Sequence, residues 1–151
     1  MAAADEASFL KADALPALKK MLRDSDSAVR YWAVLGILMR GKEAVQQNMK
    51  EMHGALGDDS PSVRVVAARA LSQYGEKTDL DKALSVLLEL ARYKDESGGV
   101  ALMAINAIDA LDKNATGAIE QIKQLKPVSG QRTAGEYVAR VAQDILANLH
   151  E

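Results

Sequence analysis

From Asp24 to Gly41 the chain reads DSDSAVRYWAVLGILMRG, and the nine residues Tyr31 to Met39 carry no charge. The Asp/Ser cluster (Ser25, Asp26 or Ser27 as N-cap) starts a helix, and Gly41 stops it. A second stretch, Asp58 to Gly75, has the same frame but an amphipathic interior. There Val63, Val66, Ala67, Ala70, Leu71 and Tyr74 make one stripe and leave Arg64, Arg69, Ser72 and Gln73 for water. Ser60 is its cap, with Pro61 just inside, and Gly75, like Gly41, is read as a C′ glycine.

The two stretches superpose without a gap at an offset of 34 residues, pairing Leu22 with Leu56, Asp24 with Asp58, Val29-Arg30 with Val63-Arg64 and Ala33 with Ala67. Upstream, Leu15, Leu18 and Leu22 correspond to Met49, Met52 and Leu56, so the repeated unit is a pair of helices. A third copy follows at an offset of 37, with Val100, Ala104, Ala107 and Ile108 in the stripe. A fourth carries Val138, Ala142, Ile145 and Leu149. The repeats span about 14–41, 45–75, 80–113 and 115–149 of a single domain, 1–151. One pair cannot bury its apolar face alone, so stacking predicts an all-α fold, a right-handed α-α superhelix of about four helix pairs.

Carrying the register of the second copy back to the first assigns Val29, Trp32, Ala33, Gly36, Ile37 and Arg40 to the buried stripe. The water-facing set becomes Arg30, Leu35, Leu38 and Met39, with Tyr31 and Val34 beside it. Tyr31, Val34, Leu35 and Leu38 are therefore a candidate interface, because an apolar outer face calls for a cover. Three covers fit: the N-terminal segment DEASFL folding back through Phe9 and Leu10, a preceding domain, or a second copy of the chain.

Composition narrows the chemistry. Apolar residues make up 48% of the chain but aromatic ones only 4%, a balance that favours helices. The net charge of −2 is spread along the chain without a basic stripe, so no nucleic-acid partner is expected. Cysteine is absent, which removes disulfides and thiol chemistry. No signal peptide is expected at the start, and no apolar run is long enough for a membrane span.

Candidate sites are sparse. His53 and His150 have no convincing partner in the sequence, so no metal or other cofactor is expected. Asp24, Asp26, Asp58, Asp59, Asp79 and Asp81 read as caps and dipole partners rather than calcium ligands. DESGG (95–99) lacks the strand-loop-helix frame of a phosphate loop, and Asn114-Ala115-Thr116 matches a glycosylation acceptor pattern common by chance. Among the aromatic residues Phe9, Tyr31, Trp32, Tyr74, Tyr93 and Tyr137, four lie in or beside second helices or inter-helix turns. A polar-rimmed strip with Arg64, Arg69, Gln73 and Asn106 would bind a partner there or simply solvate the ridge.

The string L-x-D-x-x-x-x-V-R-x-x-A-x-x-x-L, carried by Leu56, Asp58, Val63, Arg64, Ala67 and Leu71, resembles the HEAT-repeat pattern. That resemblance implies a structural ladder between neighbouring repeats, from Asp24 with Arg30 and Asp58 with Arg64. An arginine in a first helical turn opposes the dipole and needs a carboxylate nearby. VRYWA and its surroundings, over roughly Leu15 to Leu111, further resemble the C-terminal HEAT-like region of bacterial sulfatases of the arylsulfatase and sulfoglucosamine sulfohydrolase type. This implies a non-catalytic accessory domain packed on an upstream catalytic domain of the same chain, in the periplasm or outside the cell. The sulfatase nucleophile motif fails here, since Asp59 and Val63 flank Pro61 where Cys/Ser and Arg are required. The competing readings are a free-standing protein-interaction scaffold and, more remotely, a HEAT-type enzyme or lyase subunit.

Overall fold

The computed structural model describes residues 2–8, 14–92, 98–125 and 134–149. All its regular elements are helical among these residues, in keeping with the expected all-α class. The chain divides into two compact units, Met1–Ala83 and Leu84–Glu151.

In the first unit, α1 (Ala2–Ser8) is a short alanine-rich helix. The first repeat is α2 (Leu15–Met21), with Pro16 in its first turn, and α3 (Ser27–Met39). Asp26 caps α3, its carboxylate accepting from the Ala28 amide at 2.8 Å. Gly41 follows α3 at φ +82°, a conformation that costs a residue with a Cβ far more than glycine. The first helix of the second repeat is broken into α4 (Lys42–Gln47) and α5 (Met49–Ala55). The break is at buried Asn48, whose Nδ2 donates to the Ala44 carbonyl at 2.6 Å. Its Oδ1 is buried without a hydrogen-bond partner among the described residues. The second helix is α6 (Pro61–Tyr74).

Helix α3 packs against α1, α2 and α6, and α6 packs against α3, α4 and α5. Both are thus covered on more than one side. In α6 the stripe Val63, Val66, Ala67, Ala70 and Leu71 is buried as expected, but so are Val65, Ala68 and Ser72. Ser72 was assigned to water; its hydroxyl donates instead to the Arg69 carbonyl at 3.0 Å, which satisfies it locally. Gly75 is also corrected: it has extended backbone (φ −81°, ψ −177°), not the left-handed turn of a C′ glycine. A Cβ there would lie 2.5 Å from the Leu71 carbonyl oxygen and 2.6 Å from Asp79 Cβ. Glycine is required by close approach.

Helix α7 (Lys77–Leu90) contains the division between the two units. In the second unit, α8 (Gly99–Asp109) and α10 (Ala134–Asn148) pack on each other. A 3₁₀ segment, Asp112–Ala118, and a single turn, α9 (Ile119–Ile122), stand where the fourth copy's first helix was expected. Val100, Ala104, Ala107, Ile108, Val138, Ala142 and Ile145 are buried as their spacing requires. Arg92 donates to the Leu88 and Gln121 carbonyls at 3.0 and 3.1 Å, satisfying chain ends that helix geometry leaves open.

Candidate functional site

The apolar face of α3 is where an interface was expected. Val34 is fully buried and Leu38 is 7% exposed, so both belong to the core and leave the candidate interface. The reason is α1. Ala3 and Ala7 are buried, and a Cβ on Gly36 would come within 3.0 Å of the Ala7 backbone and 3.1 Å of Leu18 Cδ1. Only glycine in α3 facing alanine in α1 permits that approach. Arg40 Nη1 closes the contact, donating to the carbonyls of Gly36 at 2.7 Å and Ala7 at 3.3 Å. Tyr31 and Leu35 stay half-buried, and Met39 is 49% exposed. The Tyr31 ring meets Trp32 edge-on at 5.6 Å. Part of the DEASFL segment therefore supplies a cover, while Phe9 and Leu10 lie outside the described residues.

The four polar residues of the expected ladder do not pair within their own repeats. Arg30 reaches across to Asp58, with Nε–Oδ2 at 2.7 Å and Nη2–Oδ1 at 2.8 Å. Its Nη1 donates to the main-chain carbonyls of Asp24 and Ser25. The Asp24 carboxylate instead accepts from the Asp26 amide at 2.8 Å. Asp58 also accepts from the Ser60 amide, making the turn before α6. The Arg30 guanidinium, with the Ser60 amide, outweighs burial and holds the Asp58 carboxyl below its ordinary value. Arg64 Nε donates to the Leu56 carbonyl at 3.1 Å.

The rung forms one wall of a cleft of about 700 Å³ between the first two repeats. Lys19, at the C-terminal end of α2, bridges to Glu51 of α5 at 3.1 Å on another side. Burial works to raise the Glu51 carboxyl, but the Lys19 ammonium and the backbone amide hold it below its ordinary value. Lys20, Arg23 and Lys50 also line the cleft and make no ion pair among the described residues. Five cations thus face two carboxylates, both already engaged. The sequence shows no basic stripe because these residues come from three helices and a turn, spread over about thirty positions. The 34-residue offset, which sets Lys20 above Gly54, was the signal that could have joined them.

His53, read as lacking a partner, has one. Its Nε2 lies 2.7 Å from Asp79 Oδ1, while Asp79 Oδ2 accepts from the Glu76 amide at 3.0 Å. Asp79 is the third residue of α7 and so completes half a capping box, joining α5 to the start of α7. The Glu76 amide, followed by His53, keeps the Asp79 carboxyl below its ordinary value despite burial. Among the described residues no group of three His, Asp or Glu could hold a metal ion. No described helix is long and apolar enough to cross a membrane. Of the expected polar strip, Arg69, Gln73 and Asn106 are exposed and Arg64 is half-buried. Tyr93, residues 95–97 of DESGG, and His150 lie outside the described residues.

Helix pairs repeating at about 34 residues, with an arginine of one pair held by an aspartate of the next, define a helical-repeat protein. A family model described as HEAT repeats matches residues 15–108, and the chain belongs to this family. No curated protein matches the chain. The repeats of this family serve as protein-interaction modules.

Proposed function

We propose that the chain is a non-catalytic scaffold that binds a protein partner at the cleft between its first two repeats. The carrying observation is the cleft itself, whose walls are joined by two cross-repeat ion pairs while three further cations make no ion pair among the described residues. Side chains already held in place bind a partner with less ordering cost than free ones. A photo-crosslinker at exposed Gly57, beside the cleft, tests this in cells that make the protein. The expected result is a discrete protein adduct from Gly57 and none from exposed Asp109 in the second unit. Equal labelling from both positions, or none from Gly57, refutes the reading.

A narrower version makes the partner a sulfatase-type catalytic domain earlier in the same chain. It is supported by the likeness of VRYWA and its surroundings alone, since α1 occupies much of the α3 face that version assigns to a docked domain. An in-frame upstream Cys/Ser-x-Pro-x-Arg segment would support it; a stop codon just before Met1 would remove it.

A further inference from the structure

We propose that the cleft between the first two repeats recognises an acidic segment of a partner protein, an extended peptide with carboxylates around a small apolar side chain. This rests on the scaffold reading and adds the chemistry of the partner. Charge is the first argument. The chain as a whole carries −2, yet the cleft gathers five cations against two carboxylates. Glu51 and Asp58 are engaged by Lys19 and Arg30, which leaves Lys20, Arg23 and Lys50 for anions from outside. Lys20 sits in the last turn of α2 and Arg23 just beyond its cap, where a cation also suits the helix dipole. Lys50 lies in the first turn of α5, where the dipole disfavours a cation, so helix electrostatics do not account for it.

Gly54 is the second argument. It is the next-to-last residue of α5, without positive φ, and a Cβ placed on it would meet no atom of the described residues within 4 Å. Neither a turn nor internal packing requires glycine there, and glycine weakens a helix. What it provides is bare helix backbone on the cleft wall, which another main chain can approach closely. Half-buried Leu22 offers the apolar contact in the same cleft, whose floor is closed by the buried Val34 and Val63. Nucleic acid fits less well, because no aromatic residue among those described lines the cleft to stack on a base.

The test is fluorescence anisotropy on the full chain with three labelled probes. They are a twelve-residue Glu/Asp-rich peptide containing one valine, its Gln/Asn counterpart, and a twelve-nucleotide single strand. The acidic peptide should bind, more weakly as salt rises. Combining Lys20→Ala, Arg23→Ala and Lys50→Ala should weaken it about tenfold, the sum of three rim charge contacts. Gly54→Leu should weaken it by at least as much while the thermal midpoint holds or rises, since leucine is the better helix former. Equal binding of the neutral peptide, tighter binding of the oligonucleotide, or no change in either variant overturns the proposal. If Gly57 gives its protein adduct but the acidic peptide gains nothing over the neutral one, the acidic class is wrong and the scaffold reading stands. Loss of both results sinks both.

Discussion

Helices α3 and α6 occupy the same place in consecutive repeats, yet they are covered by different means. The neighbour of α6 on its N-terminal side is α3, a full helix of the preceding repeat. For α3 the corresponding cover is α1, seven residues of mostly alanine and no repeat at all. The difference is concentrated at one aligned pair: Gly36 in α3 against Ala70 in α6, both buried. Alanine suffices where a whole helix packs with its own side chains. Where a small helix must lie almost backbone to backbone, only glycine fits. An apolar face at the end of a repeat array therefore does not by itself announce a missing partner, because a short cap can bury it.

The largest test of this comparison removes the aligned core residues Ile37 and Leu71, both fully buried. Ile37→Ala and Leu71→Ala should each lower the unfolding free energy by about 2–5 kcal/mol, read from urea denaturation. Leu71→Ala should cost more, because every helix around α6 belongs to the two repeats, whereas α1, which lies outside them, can shift to fill a void beside α3. Equal costs would mean that α1 is held as firmly as a full repeat.

Next in size is Gly36→Val, which forces a side chain into the space of Ala7 and Leu18 and should cost about 1–3 kcal/mol. Ala7→Gly should recover part of that loss in a double-mutant cycle if the Gly36–Ala7 contact is its source. At the matching position of α6, Ala70→Gly should cost about 1 kcal/mol through helix propensity and lost packing. A Gly36→Val protein as stable as the parent would show that α1 does not dock in solution.

The repeat frame was readable because it depends on local pattern: caps, the 34-residue offset and the i, i+3, i+4 spacing all lie in one dimension. That frame placed Leu18, Ile37, Met52 and Leu71 in the core, where they are. The burial of Val34 and Leu38 is not legible in the sequence because it depends on the neighbours of α3, one of which, α1, has no counterpart in the second repeat. Asn48 breaks a helix whose apolar spacing continues through it, and nothing in the pattern of Leu15, Leu18 and Leu22 anticipates that break. Arg30–Asp58 and His53–Asp79 join residues 28 and 26 positions apart. The first lies among the residues that the HEAT-repeat resemblance assigns to a ladder between neighbouring repeats, whereas the second becomes visible only once the stacking of one repeat on the next is known. The cationic cleft was hidden for the same reason.

Those two cross-repeat contacts give a third, smaller effect. Asp58 and Asp79 both have folded-state values below the ordinary 3.8, held there chiefly by Arg30 and by the Glu76 amide respectively. Their contribution to stability is therefore complete above the ordinary value and is lost as pH falls from there toward the folded value. The urea midpoint should decline below about pH 4 and stay level above pH 5. Asp58→Asn and Asp79→Asn should each lower the midpoint at neutral pH and flatten the acid decline. A variant that keeps the parent's full acid slope would remove that carboxylate from the account.

The smallest expected effect sharpens the comparison at its outer edge. Met39 is 49% exposed near the end of α3, and the residue aligned with it in α6 is the exposed Gln73. Met39→Gln thus gives α3 the surface residue that α6 already carries. With no core contact removed, the change in unfolding free energy should stay within about 0.5 kcal/mol. The half-buried Tyr31 and Leu35 beside it should then behave as an ordinary ridge, and the sedimentation coefficient should not vary with protein concentration. A loss of several kcal/mol, or a parent that dimerises where Met39→Gln stays monomeric, would return this end of α3 to the status of an interface. The cover supplied by α1 at Gly36 would then not extend along the whole apolar run.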